Sequence, residues 1–186
     1  MKELKFRALT ADDIEVRAAQ VKENFCDLLL YKNARVDQNI LDETVGPYNW
    51  QRSHSRDNAN CTVAIWDEEK QQWICKEDTG KESYAEAEKG LASDSFKRAC
   101  FNWGIGRELY TVGAIRLWAN NKDKSGNALV QIKPKKDGFT TYDQFKVAKI
   151  ITIDGKIKAL AIRNETTHAL AYCMDIRTEK EKKGIE

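Results

Sequence analysis

With 186 residues, 41% hydrophobic content and five tryptophans, the chain can bury a core of ordinary domain size, which excludes an intrinsically disordered protein. No run approaches the roughly 18 apolar residues of a membrane helix, and Met1-Lys2-Glu3-Leu4-Lys5 lacks the apolar stretch of a secretory signal, so a cytoplasmic protein with no membrane partner is expected. The formal net charge of +2 does not by itself announce a nucleic-acid partner.

The charge is unevenly spread. Residues 111–163 carry eleven Lys or Arg against four Asp or Glu, whereas 1–50 and 51–110 are each acidic by two. Such segregation permits a basic surface on a nearly neutral protein. The cysteines (Cys26, Cys61, Cys75, Cys100, Cys173) form no C-x-x-C pair, and the histidines are only His54 and His168. No zinc site, other metal or cofactor is expected, and the thiols read as free in a reducing compartment.

In chain order, Thr10 resembles an N-cap before the acidic turn of Asp12, Asp13 and Glu15. Ile14, Ala18, Val21 and Phe25 recur at helical spacing and predict an N-terminal helix over 11–25. Residues 28–31 form a short apolar strand, and 34–44 a second helix stopped by Gly46-Pro47. Three strand-like runs follow at 49–56, 61–66 and 72–77, separated by polar turns, as an antiparallel meander requires. A long helix is predicted over 86–103, closed by Gly104 and Gly106, and a polar loop over 120–126. Strands at 145–153 and 156–162 flank Asp154-Gly155, a hairpin dipeptide. The fold class is therefore α+β: a β-meander packed on a long helix (a β-β-β-α core), with an N-terminal helix and a C-terminal β-hairpin. A single domain is expected over 1–177, its core at 11–110 and an extension at 111–177, followed by a charged flexible tail at 178–186.

The long helix carries the functional argument. At 100° per residue, Ala92, Phe96, Ala99 and Trp103 form a stripe for the meander, while Lys97 and Arg98 straddle the opposite side with Gly90 between them in projection. Two adjacent cations turned away from a core can meet a phosphate backbone, and a nearby glycine leaves room for it. The plain alternative is a solvated helix face partly neutralised by Asp94.

The block from Glu88 to Ala99 (EKGLASDSFKRA), running on into Asn102 to Tyr110 (NWGIGRELY), resembles a signature of phage Sak-type single-strand annealing proteins, of the Rad-fifty-two-like recombination mediator superfamily. A second stretch, from Asn33-Ala34-Arg35-Val36 through Asp42-Glu43 to Val45-Gly46-Pro47-Tyr48-Asn49-Trp50, is similar to the family in the expected order. The resemblance spans roughly residues 11–110. It implies a β-β-β-α core, rings or helical filaments, and ATP-independent binding and annealing of single-stranded DNA in recombination or repair. It places DNA-backbone contacts on Lys97, Arg98 and Arg35, and another basic position on Lys89. The sequence departs from the eukaryotic relatives at Phe101, where they carry a further arginine; Arg107 is the candidate substitute. The loop before the helix is also shorter, which leaves only Lys81 as a candidate for a second, outer DNA site.

Annealing requires backbone neutralisation and accessible bases, with no bond made or broken by protein groups. Tyr48 and Trp50, just before the first meander strand, are candidates to stack on bases. Arg52 and Arg56 flank His54 on a strand face and extend the cationic set, whereas Trp66, Trp73 and Trp103 suit core or subunit interface. An enzyme is not expected. Gly80-Lys81-Glu82-Ser83 lacks the spacing of a P-loop, Gly104-Ile105-Gly106 fits a helix stop, and Asp67, Glu68 and Glu69 fall in a turn where a nuclease would need converging carboxylates. The expected partners are single-stranded DNA, further copies of the chain, and a recombinase or single-strand binding protein. The competing readings are a protein that coats or protects single strands without annealing them, and a pure assembly protein.

Overall fold

The computed structural model describes residues 4–81 and 87–184, the side chains of 87–89 excepted. After a 3-10 turn at Ala11–Asp13 come strands β1 (Glu15–Val21) and β2 (Phe25–Tyr31) and helix α1 (Ala34–Val45). Strands β3 (Trp50–Ser55), β4 (Asn60–Asp67) and β5 (Gln72–Thr79) lead to helix α2 (Ala87–Trp103) and a second 3-10 turn, Arg107–Thr111. The remainder comprises β6 (Ile115–Trp118), β7 (Lys133–Lys135), β8 (Gly138–Thr140), β9 (Phe145–Ile153), β10 (Lys156–Asn164), β11 (Leu170–Asp175) and α3 (Glu179–Lys183). Two compact units emerge, one built from the chain up to Ala8 with Lys32–Arg107, the other from Leu9–Tyr31 with the chain from Glu108 onward.

The first unit holds the β-β-β-α arrangement. β3, β4 and β5 form an antiparallel meander in which Arg52 pairs with Val63 and Val63 with Lys76. α2 packs on β4 and β5. Phe96 and Ala99 of the expected stripe are fully buried, together with Ser95 and Cys100. Ala92 is half-buried, as is Trp103, whose indole N–H donates to the Val63 carbonyl at 3.0 Å. Complete burial of a phenylalanine is worth roughly 1.5–3 kcal/mol, which makes Phe96 the main apolar anchor of the helix. α1 buries Val36, Ile40 and Leu41, and the Asn33 side chain caps it by accepting from the backbone N–H groups of Arg35 and Val36.

The seating of α2 depends on Gly80, at the end of β5. A Cβ there would lie 2.6 Å from the backbone nitrogen of Ser95 and 2.9 Å from the carbonyl oxygen of Leu91. Ser95 also donates its hydroxyl to the Asn58 carbonyl at 2.9 Å, tying the β3–β4 turn to the helix.

The second unit is a six-strand antiparallel sheet in the order β11-β10-β9-β1-β2-β6, nearly closed and barrel-like. Here the N-terminal helix expected over 11–25 is corrected: the segment is a 3-10 turn, then β1, then the first residue of β2. Val16, Ala18 and Val21 are the half-buried residues of β1, and the register shifts between Ala18 and Gln20. That bulge adds a residue to the two-residue alternation, so Ile14, Ala18, Val21 and Phe25 imitate helical spacing on an extended chain. The expected C-terminal hairpin is present: β9 and β10 join through Asp154 (φ 50°) and Gly155 (φ 70°), the left-handed pair of a type I′ turn. Asn164, fully buried, donates to the Leu129 carbonyl and the Asp143 carboxylate while accepting from the N–H groups of Thr166 and Thr167. Three loops thus converge on one satisfied amide. Strands β6, β7, β8 and β11 add to the elements expected from sequence. At the chain's end, Thr178 caps α3 by accepting from the Glu181 N–H.

Gly80→Ala should destabilise the protein by about 1–3 kcal/mol, because backbone rather than a flexible side chain must yield. Gly113→Ala, where a Cβ meets nothing within 4 Å, should be neutral. Urea denaturation of both variants checks this.

Candidate nucleic-acid interface

Every residue expected to contact DNA belongs to the first unit, so the unit can be assessed by itself. Phe96 organises one side of it. The Trp50 ring stacks on Phe96 at an inclination of 28° with centroids 6.1 Å apart, and the Arg52 guanidinium sits 4.8 Å from the Phe96 centroid. The Trp50 indole N–H donates to the Asp42 carboxylate at 2.7 Å. Ring and N–H of Trp50 are thus engaged in joining β3 to α1 and α2, whereas Arg52 is exposed beyond its ring contact. Tyr48 stands 93% exposed after Gly46-Pro47, and Arg56 is exposed in the β3–β4 turn.

Lys97 and Arg98, about 100° apart around α2, turn toward α1 and toward the end of β5 respectively. Lys97 is half-buried and close enough to Asp37, in the first turn of α1, to oppose in small part the burial that raises that carboxyl's pKa. Arg98 is 44% exposed and points to the end of β5, where its Nε lies 3.4 Å from Oδ1 of Asp78. Arg35, in the first turn of α1, is exposed. Neither Arg35 nor Lys97 forms an ion pair with a described residue. Arg107 is differently engaged: it donates to the carbonyls of Phe101 and Asn102, both at 2.8 Å, and closes the last turn of α2, where cationic charge is favoured. Lys76 donates to the same Asn102 carbonyl at 2.9 Å and lies over the Trp103 ring. The Lys89 side chain falls outside the described residues. Lys81 is exposed, and its backbone N–H donates to Asp94 at 2.9 Å.

Beneath these cations lies a pair the sequence did not disclose. Lys32 and Asp37 are both buried and joined by their charged groups. A Cβ at Gly106 would come within 2.3 Å of the Lys32 side chain, so this glycine, at φ 76°, makes the space the lysine stem occupies. Burial pushes the Asp37 carboxyl up to about 6, against the pull of Lys32 and then of Lys97. Nothing in hydrophobic periodicity marks a lysine for burial; the nearest signal was the glycine at position 106, which reads from sequence only as part of a helix stop. Burial and then Arg52 hold His54 below its ordinary pKa, and its Nδ1 is 3.5 Å from the Ser95 hydroxyl.

Among the described residues, no three His, Cys, Asp or Glu side chains are grouped to hold a metal ion, and no helix is long and apolar enough to cross a membrane. Trp66 and Trp73 form an edge-to-face pair, with centroids 5.5 Å apart, at the far end of the β4–β5 ladder. Comparison with protein-family models, with curated proteins and with solved structures gave no match. The chemistry available is thus that of a surface: exposed or half-exposed cations on α1, β3 and α2, with an exposed tyrosine on the same unit.

The Lys32–Asp37 pair has a pH signature. Because the folded pKa of Asp37 (about 6) exceeds its ordinary value of 3.8, the folded chain binds more protons between those values, and this group's contribution to stability declines as pH rises through the window. Lys32→Met should cost about 3–5 kcal/mol near pH 8, where Asp37 becomes a buried unpaired charge. The loss should shrink near about pH 5, where the carboxyl can take a proton. Denaturation midpoints of variant and wild type at both pH values provide the measurement.

Proposed function

We propose that the protein binds single-stranded DNA through the first unit and anneals complementary strands without ATP, as an oligomer. The observation that carries the reading is the state of the cations in the signature block. Lys97 and Arg98 project from a helix whose other face is sealed against the meander; Lys97 forms no ion pair with a described residue, and Arg98 has a single exposed one, with Asp78. Arg35 adds an exposed cation from α1 to the exposed Arg98 and half-buried Lys97. Phosphates of a flexible strand can replace the 3.4 Å Arg98–Asp78 contact at small cost, since exposed ion pairs are worth about 0–1 kcal/mol.

In this reading Arg35, Lys97 and Arg98 neutralise phosphates with little regard to sequence, and pairing between the strands supplies the specificity. Tyr48 is the stacking candidate best placed by exposure. Trp50 supports the framework, and Arg107 keeps α2 closed. Each subunit holds few phosphates, so self-association strengthens binding by raising the effective concentration of neighbouring sites. A recombinase or single-strand binding protein is the proposed further partner, and recombination or repair the proposed setting.

Lys97→Ala with Arg98→Ala should abolish detectable binding of a labelled oligonucleotide at moderate salt, while leaving the folded protein and its oligomer intact. At low salt, the slope of log affinity against log salt should fall by about 1.4, at about 0.7 per lost phosphate contact on a single strand. Arg35→Ala should lower the slope by about half as much. Unchanged affinity in the double variant would refute the site. Annealing itself is read from the rate at which two protein-coated complementary strands pair; no acceleration would leave a coating protein. Asp78→Asn should raise affinity by roughly 1.5- to 5-fold, by releasing Arg98 and removing a charge that repels phosphate.

A further inference from the structure

We infer that the second unit carries its own contact for single-stranded DNA, in the groove between the end of β1 and the β7–β8 hairpin; this rests on the single-strand reading above. β7 and β8 pair Lys133 with Thr140 and Lys135 with Gly138, and Lys136-Asp137 forms the tip. Alternation along β7 puts Lys133 and Lys135 on one side of the ribbon and Pro134 on the other. Lys133, Lys135, Lys136 and Lys22 are all exposed, and none forms an ion pair with a described residue. The one carboxylate in the groove lining is Asp137, at the hairpin tip.

The groove has a volume of about 580 Å³ and sets Lys22 on one wall against Lys135 on the other, with Ala18, Ala19, Phe139 and Thr140 also lining it. Along this stretch the bulge between Ala18 and Gln20 distorts β1, and β9 pairs with β1 only at Glu15 and Val16. Tyr142, the residue after Thr141 of the groove lining, is 70% exposed, with the Lys133 ammonium 5.8 Å from its ring centroid. An exposed aromatic ring next to uncommitted lysines is the combination a single strand uses: the ring stacks on a base while the ammonium groups meet phosphates. A duplex keeps its bases stacked inside and has no use for the tyrosine. An anionic membrane surface or an acidic peptide would also satisfy the lysines, so the test includes a vesicle arm.

The test compares three variants of the full chain by anisotropy of a labelled oligothymidylate over a salt series, with far-UV circular dichroism to verify folding. Lys133→Ala/Lys135→Ala/Lys136→Ala should lower the salt slope by about 1–2. Tyr142→Ala should weaken binding about tenfold with the slope unchanged, as loss of one stacked base requires. The third variant, Lys97→Ala/Arg98→Ala, separates the two readings. If both hairpin variants bind with wild-type affinity and slope, the groove is not a DNA contact, whatever the helix variant does. If the hairpin variants lose affinity while the helix variant does not, the groove stands and the site on α2 falls. Binding to phosphatidylserine vesicles that the lysine variant loses, with oligonucleotide affinity unchanged, would overturn the inference in favour of a membrane surface.

Discussion

Close approach between β5 and α2 governs the first unit. Gly80 brings one chain within a distance of the other that no side chain permits, and the helix then lies low enough for Phe96, Ala99 and Cys100 to lose all contact with water. Trp103 and Ser95 take up backbone carbonyls of the meander and its turn, so the polar atoms trapped by this tight seating are satisfied. With one face of α2 sealed, residues at positions 97 and 98 have only the flanks left to them. The orientation of the two cations is thus a consequence of packing on the opposite side of the helix.

The two kinds of charge in this unit differ in energetic character. Lys32 and Asp37 are desolvated, and each is tolerable only because the other is there; removing one partner leaves a penalty of several kcal/mol. They lie at the junction where the chain enters α1, the helix that bears Arg35. Arg35, Lys97 and Arg98 have water as their alternative partner, so their attraction for an anion is modest, salt-sensitive and additive over many copies. A protein that must hold a strand and yet let it test its pairing benefits from the second kind of charge, positioned by the first.

In the second unit, the β7–β8 hairpin is a separate two-strand sheet beside the nearly closed six-strand one. Asn164 ties three loops together through one amide, and Asp143, which accepts from both Asn164 and the Gln131 N–H, fixes the chain on either side of the β7–β8 hairpin. The hairpin therefore springs from well-anchored ends, although its own residues are mostly exposed.

Legibility in the sequence followed the physics of each signal. The meander, α1, α2 and the Asp154-Gly155 hairpin were readable because strand alternation, helix stops and turn chemistry are local, and each spans only a few residues. That residues 97 and 98 lie off the buried stripe was readable for the same reason; that Lys97 is half-buried was not. The segment 11–25 was misread because a bulged strand followed by a turn reproduces the apolar spacing of a helix, and only pairing with β2 and β9 distinguishes them. Engagement was equally invisible: that Trp50 is held by Asp42, that Arg107 closes a helix, that Arg98 meets Asp78 and that Lys32 is buried against Asp37 all depend on which segments come together in space. The sequence by itself determined the meander, α1, α2, the Asp154-Gly155 hairpin and the inventory of cations. Tertiary structure alone decided which of them remain available to a ligand, because desolvation and pairing are properties of neighbours that lie far apart along the chain.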